Sequence, residues 1–275
     1  PSDALPLSAP PPRNAARAGS AASAAPAPPK FATLAADPDL DPPTRLAFVD
    51  RSLDRIERGQ IATLSAVDRA ALAASDRNTA ILADAGLDAA TLAARRPERP
   101  LGGPYVPLDA GASAFDRAAA RAARDLAFAA KLEELMPSVP LGRPLAGDAP
   151  VASPFGYRID PFLGRPELHP GVDLVQDYGA QIRAAGAGRV VHAGFAGGYG
   201  LVVEIDHGEG LTTRYAHLSE TTVGEGDEVE KGAVVGKLGS TGRSTGPHLH
   251  YEVRIDGEPV DPERFLRAGT KLAAQ

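Results

Sequence analysis

The 275-residue sequence contains no cysteine. That absence excludes disulfides, thiolate nucleophiles and Cys-ligated metal sites. It also lacks a run of ~18 apolar residues, so no segment reads as a membrane-spanning helix. Long basic runs are missing as well, and with a net charge of −6 nucleic acid is not the expected partner. There is no initiator methionine before Pro1, a start that reads as that of a fragment whose signal or anchor has been cut away. Two shortages are local. Up to Met136 the chain has no histidine, and 23 of its 29 glycines lie beyond that point. The first half is rich in alanine and arginine, and the chemistry is expected in the second.

Residues 1–40 are a Pro/Ala/Ser mixture, including SAPPPRNAARAGSAASAAPAPPK, with too few large apolar groups to offset the entropy of ordering; a disordered linker is expected there. From 41 to 136 the pattern predicts a helical, coiled-coil-like arm. Leu46, Val49, Leu53 and Ile56 follow 3-4-3 spacing, which resumes through Leu64, Val67, Ala71, Ala74, Asn78 and Ile81 and predicts a helix of about 40 residues ended by Gly86. RRPERPLGGPYVPLDAG reads as a loop. A second helix is expected from the N-cap Ser113, with Asp116 in its first turn, to Pro137. Such an arm either spaces or regulates, or is a hairpin that stabilises itself. Residues 137–275 change character: GRVVHAGF, GLVVEIDHG, LTTRYAHLS, EVEKGAVVGKLG and LHYEVRIDG are short β-branched runs parted by turns, which predict an antiparallel β sandwich or barrel-like domain.

The histidines of that second half form a constellation. In LHPGVDL, His169 and Asp173 stand four apart, and Pro170 and Gly171 rule out a regular helix between them. They can converge from a turn and the first inward position of a strand. In PHLHYEV, His248 and His250 share one strand face while Leu249 turns to the core. Two imidazoles and a carboxylate are suitable Zn2+ ligands, and three protein ligands plus water make a catalytic zinc site. His169, Asp173 and His250 supply such a set, leaving His248 and the His217 of RYAHLS beside it as bases that can deprotonate the water. His192 and His207 have no partner at ligand spacing and are read as structural.

HPGVDL, YAHL and GSTGRSTGPHLHYEV, in that order, resemble the signatures of the LytM/lysostaphin-type zinc metallopeptidases, peptidoglycan endopeptidases with an HxxxD ligand pair and a terminal HxH. The resemblance covers about residues 138–266. It implies zinc at His169, Asp173 and His250 and catalysis by His217 and His248. Tyr251 departs from the phenylalanine more often found there. The linker and helical arm resemble the architecture of membrane-anchored cell-wall hydrolases of Gram-negative bacteria, which implies a periplasmic or cell-envelope location, anchoring to the inner membrane through a segment outside this sequence, peptidoglycan peptide cross-links as substrate, and a regulatory protein partner for the arm. D-alanyl–diaminopimelyl links and glycine bridges both remain open as the bond cut, and either His217 or His248 can be the base.

Two other readings belong to different classes. The first is a LytM-type regulator that activates a cell-wall amidase without catalysis of its own; retention of all five side chains argues against it. The second rests on GDEVEKGAVVGKLGSTG, which resembles lipoyl or biotinyl carrier domains. Lys231 and Lys237 lie within the strand pattern and not at an isolated tip, so a shared β-scaffold accounts for that likeness.

Overall fold

The computed structural model describes residues 41–96, 111–147, 149–159 and 164–274. The linker expected at 1–40 and most of the loop expected at 95–111 lie outside them. The described chain divides into two compact units at Ile56/Glu57.

Helix α1 (Pro42–Ala85) has the expected length. Prolines open it, where the first amides have no helical partner to lose. At its end Gly86 takes φ +84°, its N–H bonding Ala83 O while Leu87 N–H bonds Leu82 O, both at 2.9 Å. This Schellman closure requires the left-handed conformation that glycine adopts without strain. In the first unit the apolar stripe is open to solvent, with Leu46 63% and Leu53 58% exposed.

In the second unit the stripe is covered, and Ile81, Leu82 and Ala85 are buried. A short helix, α2 (Ala89–Arg95), follows, capped by Asp88, which accepts from Thr91 N–H at 2.7 Å. The sequence reading did not include it, because seven residues are too few to show a helical period. Helix α3 (Ala114–Leu135) starts at Ser113 as expected, with a capping box between Ser113 and Asp116. Leu82, Leu92, Leu132 and Leu135 share one hydrophobic core with Leu141, Leu145, Phe265 and the sheet. The boundary read from sequence at 136/137 thus falls inside a packed unit.

The remaining residues form a mainly antiparallel β domain, as expected. Its strands are β1 (Val151–Ser153), β2 (Gly156–Ile159), β3 (Pro166–His169), β4 (Val172–Leu174), β5 (Gln181–Arg183), β6 (Gly188–Phe195), β7 (Leu201–Asp206), β8 (Leu211–Thr221), β9 (Glu228–Val229), β10 (Val234–Leu238), β11 (Leu249–Ile255) and β12 (Glu258–Val260), and helix α4 (Pro262–Ala273) closes it. The main sheet runs β1-β4-β11-β8-β7-β6-β9, with β10 joining β8 to β5, and β12 beside β11; β2 and β3 pair separately. Tyr215 and Tyr251 stack in the core with centroids 5.4 Å apart. The Tyr251 hydroxyl, the departure noted in the sequence, has no hydrogen-bond partner among the described residues.

The long strand β11 has two dissimilar ends. Its first residues lie between β4 and β8, where Asp173, His250 and Ala216 are in register. At the turn beyond its last residue, Asp256 binds Arg95 of α2 through both carboxylate oxygens at 2.7 Å, and Arg95 also donates to Glu209 O at 2.7 Å. Lys271 of α4 meets Asp84 of α1 at 2.7 Å.

Candidate metal centre

Register alone brings two of the expected residues together. Asp173 of β4 faces His250 of β11 directly, and paired residues on neighbouring strands present their side chains to the same face. His169, at the end of β3, arrives through the Pro170-Gly171 turn. Glycine is required there, since a Cβ at Gly171 would collide with the Tyr251 carbonyl oxygen and crowd the His250 ring.

The geometry then closes. Asp173 Oδ1 lies 2.8 Å from His250 Nδ1 and 3.1 Å from His169 Nε2, and the two imidazole nitrogens are 3.1 Å apart. All three residues are buried, with their ligand atoms within 4.8 Å of one another. Each imidazole is oriented by its other nitrogen. His169 Nδ1–H donates to Pro154 O at 2.8 Å, and His250 Nε2–H donates to Glu252 Oε1 at 3.1 Å. His169 Nε2 and His250 Nδ1 are thereby turned toward the carboxylate. Burial pushes the Asp173 carboxyl up, but hydrogen bonds from His169 and His250 outweigh it and hold the group well below the usual carboxylate range. Burial likewise raises Glu252, and its bonds from His250 and Arg254 bring it down to about 2. Two borderline nitrogens and one hard oxygen, converging without cysteine, are the donor set of a Zn2+ centre with room for further ligands.

The expected bases lie beside the triad. His248 Nε2 is 3.7 Å from Asp173 Oδ1, and the His217 and His248 rings are 4.8 Å apart. His217 reaches this face by a local distortion. Ala216 is the residue in register with His250, so strict alternation would send His217 to the opposite face. Between Leu201 and Val203 the pairing of β7 with β8 slips from Leu218 to Tyr215, a bulge, and His217 takes φ +61°. A non-glycine residue in that region is held there by its surroundings. Here the holder is the glycine-rich loop: His217 Nδ1–H donates to Thr241 O at 2.8 Å, and Thr241 Oγ1 donates to Leu218 O at 2.7 Å. His248 Nδ1–H donates to Gly246 O at 2.8 Å. Both imidazoles thus keep Nε2 to accept a proton. Burial pushes His217 down to about 4, so it is neutral at neutral pH.

A groove of about 260 Å³ opens over these groups, lined also by Arg158, Glu167, Tyr199 and Arg243. Arg158 Nη1 donates to Asp173 Oδ2 at 3.3 Å. Tyr199, on the 3-10 turn Gly197–Tyr199, donates its hydroxyl to Glu252 Oε1 at 2.8 Å. Arg158 and Tyr199 were not singled out from sequence, because each reaches the site through a neighbour far away in the chain; Glu252 was also passed over, although it follows His250 by two residues on one strand, the spacing that pairs His248 with His250. His192 and His207 stay outside the site: His192 meets Glu225 at 2.9 Å near the surface, and buried His207 bridges Ala187 O and Thr213 Oγ1 at 2.8 Å each.

The model of the family described as Peptidase family M23 matches residues 167–262. The DD-carboxypeptidase/endopeptidase Mpg of Neisseria meningitidis serogroup B is 51% identical over 112 residues, 41% of this chain and 26% of that protein. The chain thus spans about a quarter of the length of this curated relative. Among solved structures, a zinc-containing peptidase from Vibrio cholerae is 34% identical over 44% of this chain and 38% of that one, with a TM-score of 0.41. The catalytic domain of lysostaphin from Staphylococcus simulans is 31% identical over 43% of this chain and 92% of that one, also with a TM-score of 0.41. Residues 167–262 of this chain thus match a Peptidase family M23 domain.

Proposed function

We propose that this chain is a zinc-dependent endopeptidase that hydrolyses peptide cross-links of bacterial peptidoglycan. The observation that carries the reading is the convergence of His169, Asp173 and His250 on one point at the floor of a groove that His217 and His248 also line. The match of residues 167–262 to the Peptidase family M23 model and the endopeptidase activity named for Mpg support it. In this reading His169 Nε2, Asp173 Oδ1 and His250 Nδ1 hold the metal. Zn2+ bound there supplies Lewis-acid polarisation of a peptide carbonyl and lowers the pKa of its water to ~7.

The other steps belong to the chain's own side chains. Nε2 of His217 or His248 takes a proton from the attacking water, and the same pair returns one to the leaving amine as the C–N bond breaks. His217 suits the first role because burial keeps it unprotonated. The groove walls, which include Arg158 and Arg243, orient an extended peptide. The substrate puts the reaction in the cell envelope, and the helical arm is proposed as the region that a regulatory partner engages. Keeping the metal triad together with both bases favours this reading over a non-catalytic amidase activator.

Digestion of purified muropeptides, followed by mass analysis, tests the proposal. We expect new peptide termini at cross-links, lost on chelation and restored by zinc. Intact cross-links in the presence of stoichiometric zinc would overturn the enzymatic reading. The masses also identify the bond, D-alanyl–diaminopimelyl or other.

A further inference from the structure

Strict heptads counted from Leu46 place Leu46, Leu53, Gln60 and Val67 at the a positions of α1, and Val49, Ile56, Thr63 and Ala70 at the d positions. All eight side chains are exposed, and six of them are apolar. The residues by which α1 is buried in the second unit, Ala71, Ser75, Ile81 and Leu82, lie beyond this run. Exposed apolar residues at a and d through four heptads form a coiled-coil seam that lacks its other helix.

The two polar places fit such a seam. Thr63 Oγ1 already donates to Gly59 O at 3.1 Å, so its methyl can be covered without orphaning the hydroxyl. Gln60 carries both a donor and an acceptor on its amide and can pair with Gln60 of an identical helix lying in register, the way a polar a residue fixes alignment. The flanking charges choose the orientation. Arg45 falls at g, and Asp50 and Glu57 fall at e. In a parallel, in-register assembly a g residue meets the e residue of the next heptad on the neighbouring helix, so Arg45 of one copy meets Asp50 of another. Antiparallel helices instead bring e to e and would set the acids Asp50 and Glu57 against acids.

We propose that α1 is a self-association surface, through which copies of this chain form a parallel, in-register coiled coil over residues 45–70. The occupant of the seam is a second copy because Gln60 and the Arg45–Asp50 pair are complementary to themselves under this symmetry. Leucine at a with isoleucine at d, as at Leu53 and Ile56, shifts coiled coils from two helices to three or four, and three or four copies are expected. In a parallel assembly every chain leaves the coil at the same end, which gathers the β domains of the copies. The association does not depend on the metal reading.

Sedimentation equilibrium of the full chain at increasing concentration should show a mass of three or four chains. Leu53→Asp should reduce it to the mass of one chain, whereas Arg51→Asp, the same charge on the f position away from the seam, should leave it unchanged. Leu53 is 58% exposed in the single chain, so its replacement does not disturb the core. The chain has no cysteine, so a disulfide in a single-cysteine variant joins the same position of two copies. Under mild oxidation Leu53→Cys should cross-link and Arg51→Cys should not. A mass of one chain at every concentration would overturn the proposal: fast thiol labelling of Leu53→Cys would then leave the seam to an unlike protein, and slow labelling would mean that another segment of the same chain covers it. Association that survives Leu53→Asp would overturn the seam, and cross-linking of Arg51→Cys as readily as of Leu53→Cys would overturn the register.

Discussion

The two ends of β11 are held by opposite strategies. At its start, Asp173, His250 and Glu252 are buried and charged or polar, and each is satisfied by a neighbour at a defined distance. Beyond its last residue, the helical region is attached by apolar packing of Leu82, Leu132 and Leu135 and by ion pairs at the surface, Arg95–Asp256 and Lys271–Asp84. Buried polar groups lose much when one partner is removed, whereas exposed pairs lose little. The chemistry is therefore sensitive to single atoms, and the attachment of the arm is sensitive to volume. Among the described residues, every side chain lining the groove lies between Arg158 and His250. The arm meets the β domain at Glu209 and Asp256 instead.

This contrast is broken most severely at the polar end. Asp173→Ala or His169→Ala should reduce bound zinc to background in elemental analysis and abolish turnover, since each removes a donor that the other two cannot replace. Full metal content in either variant would refute the ligand set. His217→Ala and His248→Ala should retain zinc and fold while turnover falls ~10²–10⁴-fold, the usual contribution of a general acid or base. Wild-type rates in both would remove their role.

At the apolar end, Leu132→Ala should cost ~2–5 kcal/mol in chemical denaturation, as expected for emptying a fully buried leucine site, without changing the rate per folded molecule. Its side chain is 0% exposed, and it is not among the residues that line the groove. By the same argument a chain beginning at Leu141 should be less stable than the whole, because it strips Leu82, Leu132 and Leu135 from the shared core. A stable truncated chain with faster cleavage would instead favour an arm that restrains the groove.

His207 offers a smaller, pH-dependent effect. Burial pushes its imidazole below its ordinary value of 6.5. Below that value the unfolded chain binds the proton more readily than the folded one, so stability falls as the solution is acidified and is recovered as pH rises. The thermal midpoint of zinc-free protein between about pH 5 and pH 7 should therefore slope less steeply for His207→Gln than for wild type. The smallest expected effect is at Arg95. Arg95→Ala breaks a partly exposed ion pair, 37% and 56% accessible on its two sides, and should leave zinc content and turnover unchanged in the same assays.

Local chemistry and spacing sufficed for much of this protein. The 3-4-3 pattern of α1, its stop at Gly86, the Ser113 capping box and the turn between His169 and Asp173 depend on residues within a few positions of one another. A sequence carries such relations directly. Four of the five proposed site residues come together by related local rules: alternation pairs His248 with His250, and HPGVD brings its own two groups to one turn. What only the tertiary structure decided depends on partners far apart in the chain. The bulge that returns His217 to the face of the proposed metal centre needs β7 and the Thr241 loop, and His250 meets Asp173 across 77 positions. Buried Glu252 meets Tyr199 and Arg214, which come from separate elements. The exposed stripe at Leu46 and Leu53 and the buried one at Leu82 have the same kind of pattern. Which of them found a surface to cover it was set by the strands and helix that fold beside Leu82, since burial is a property of the neighbours and not of the residue.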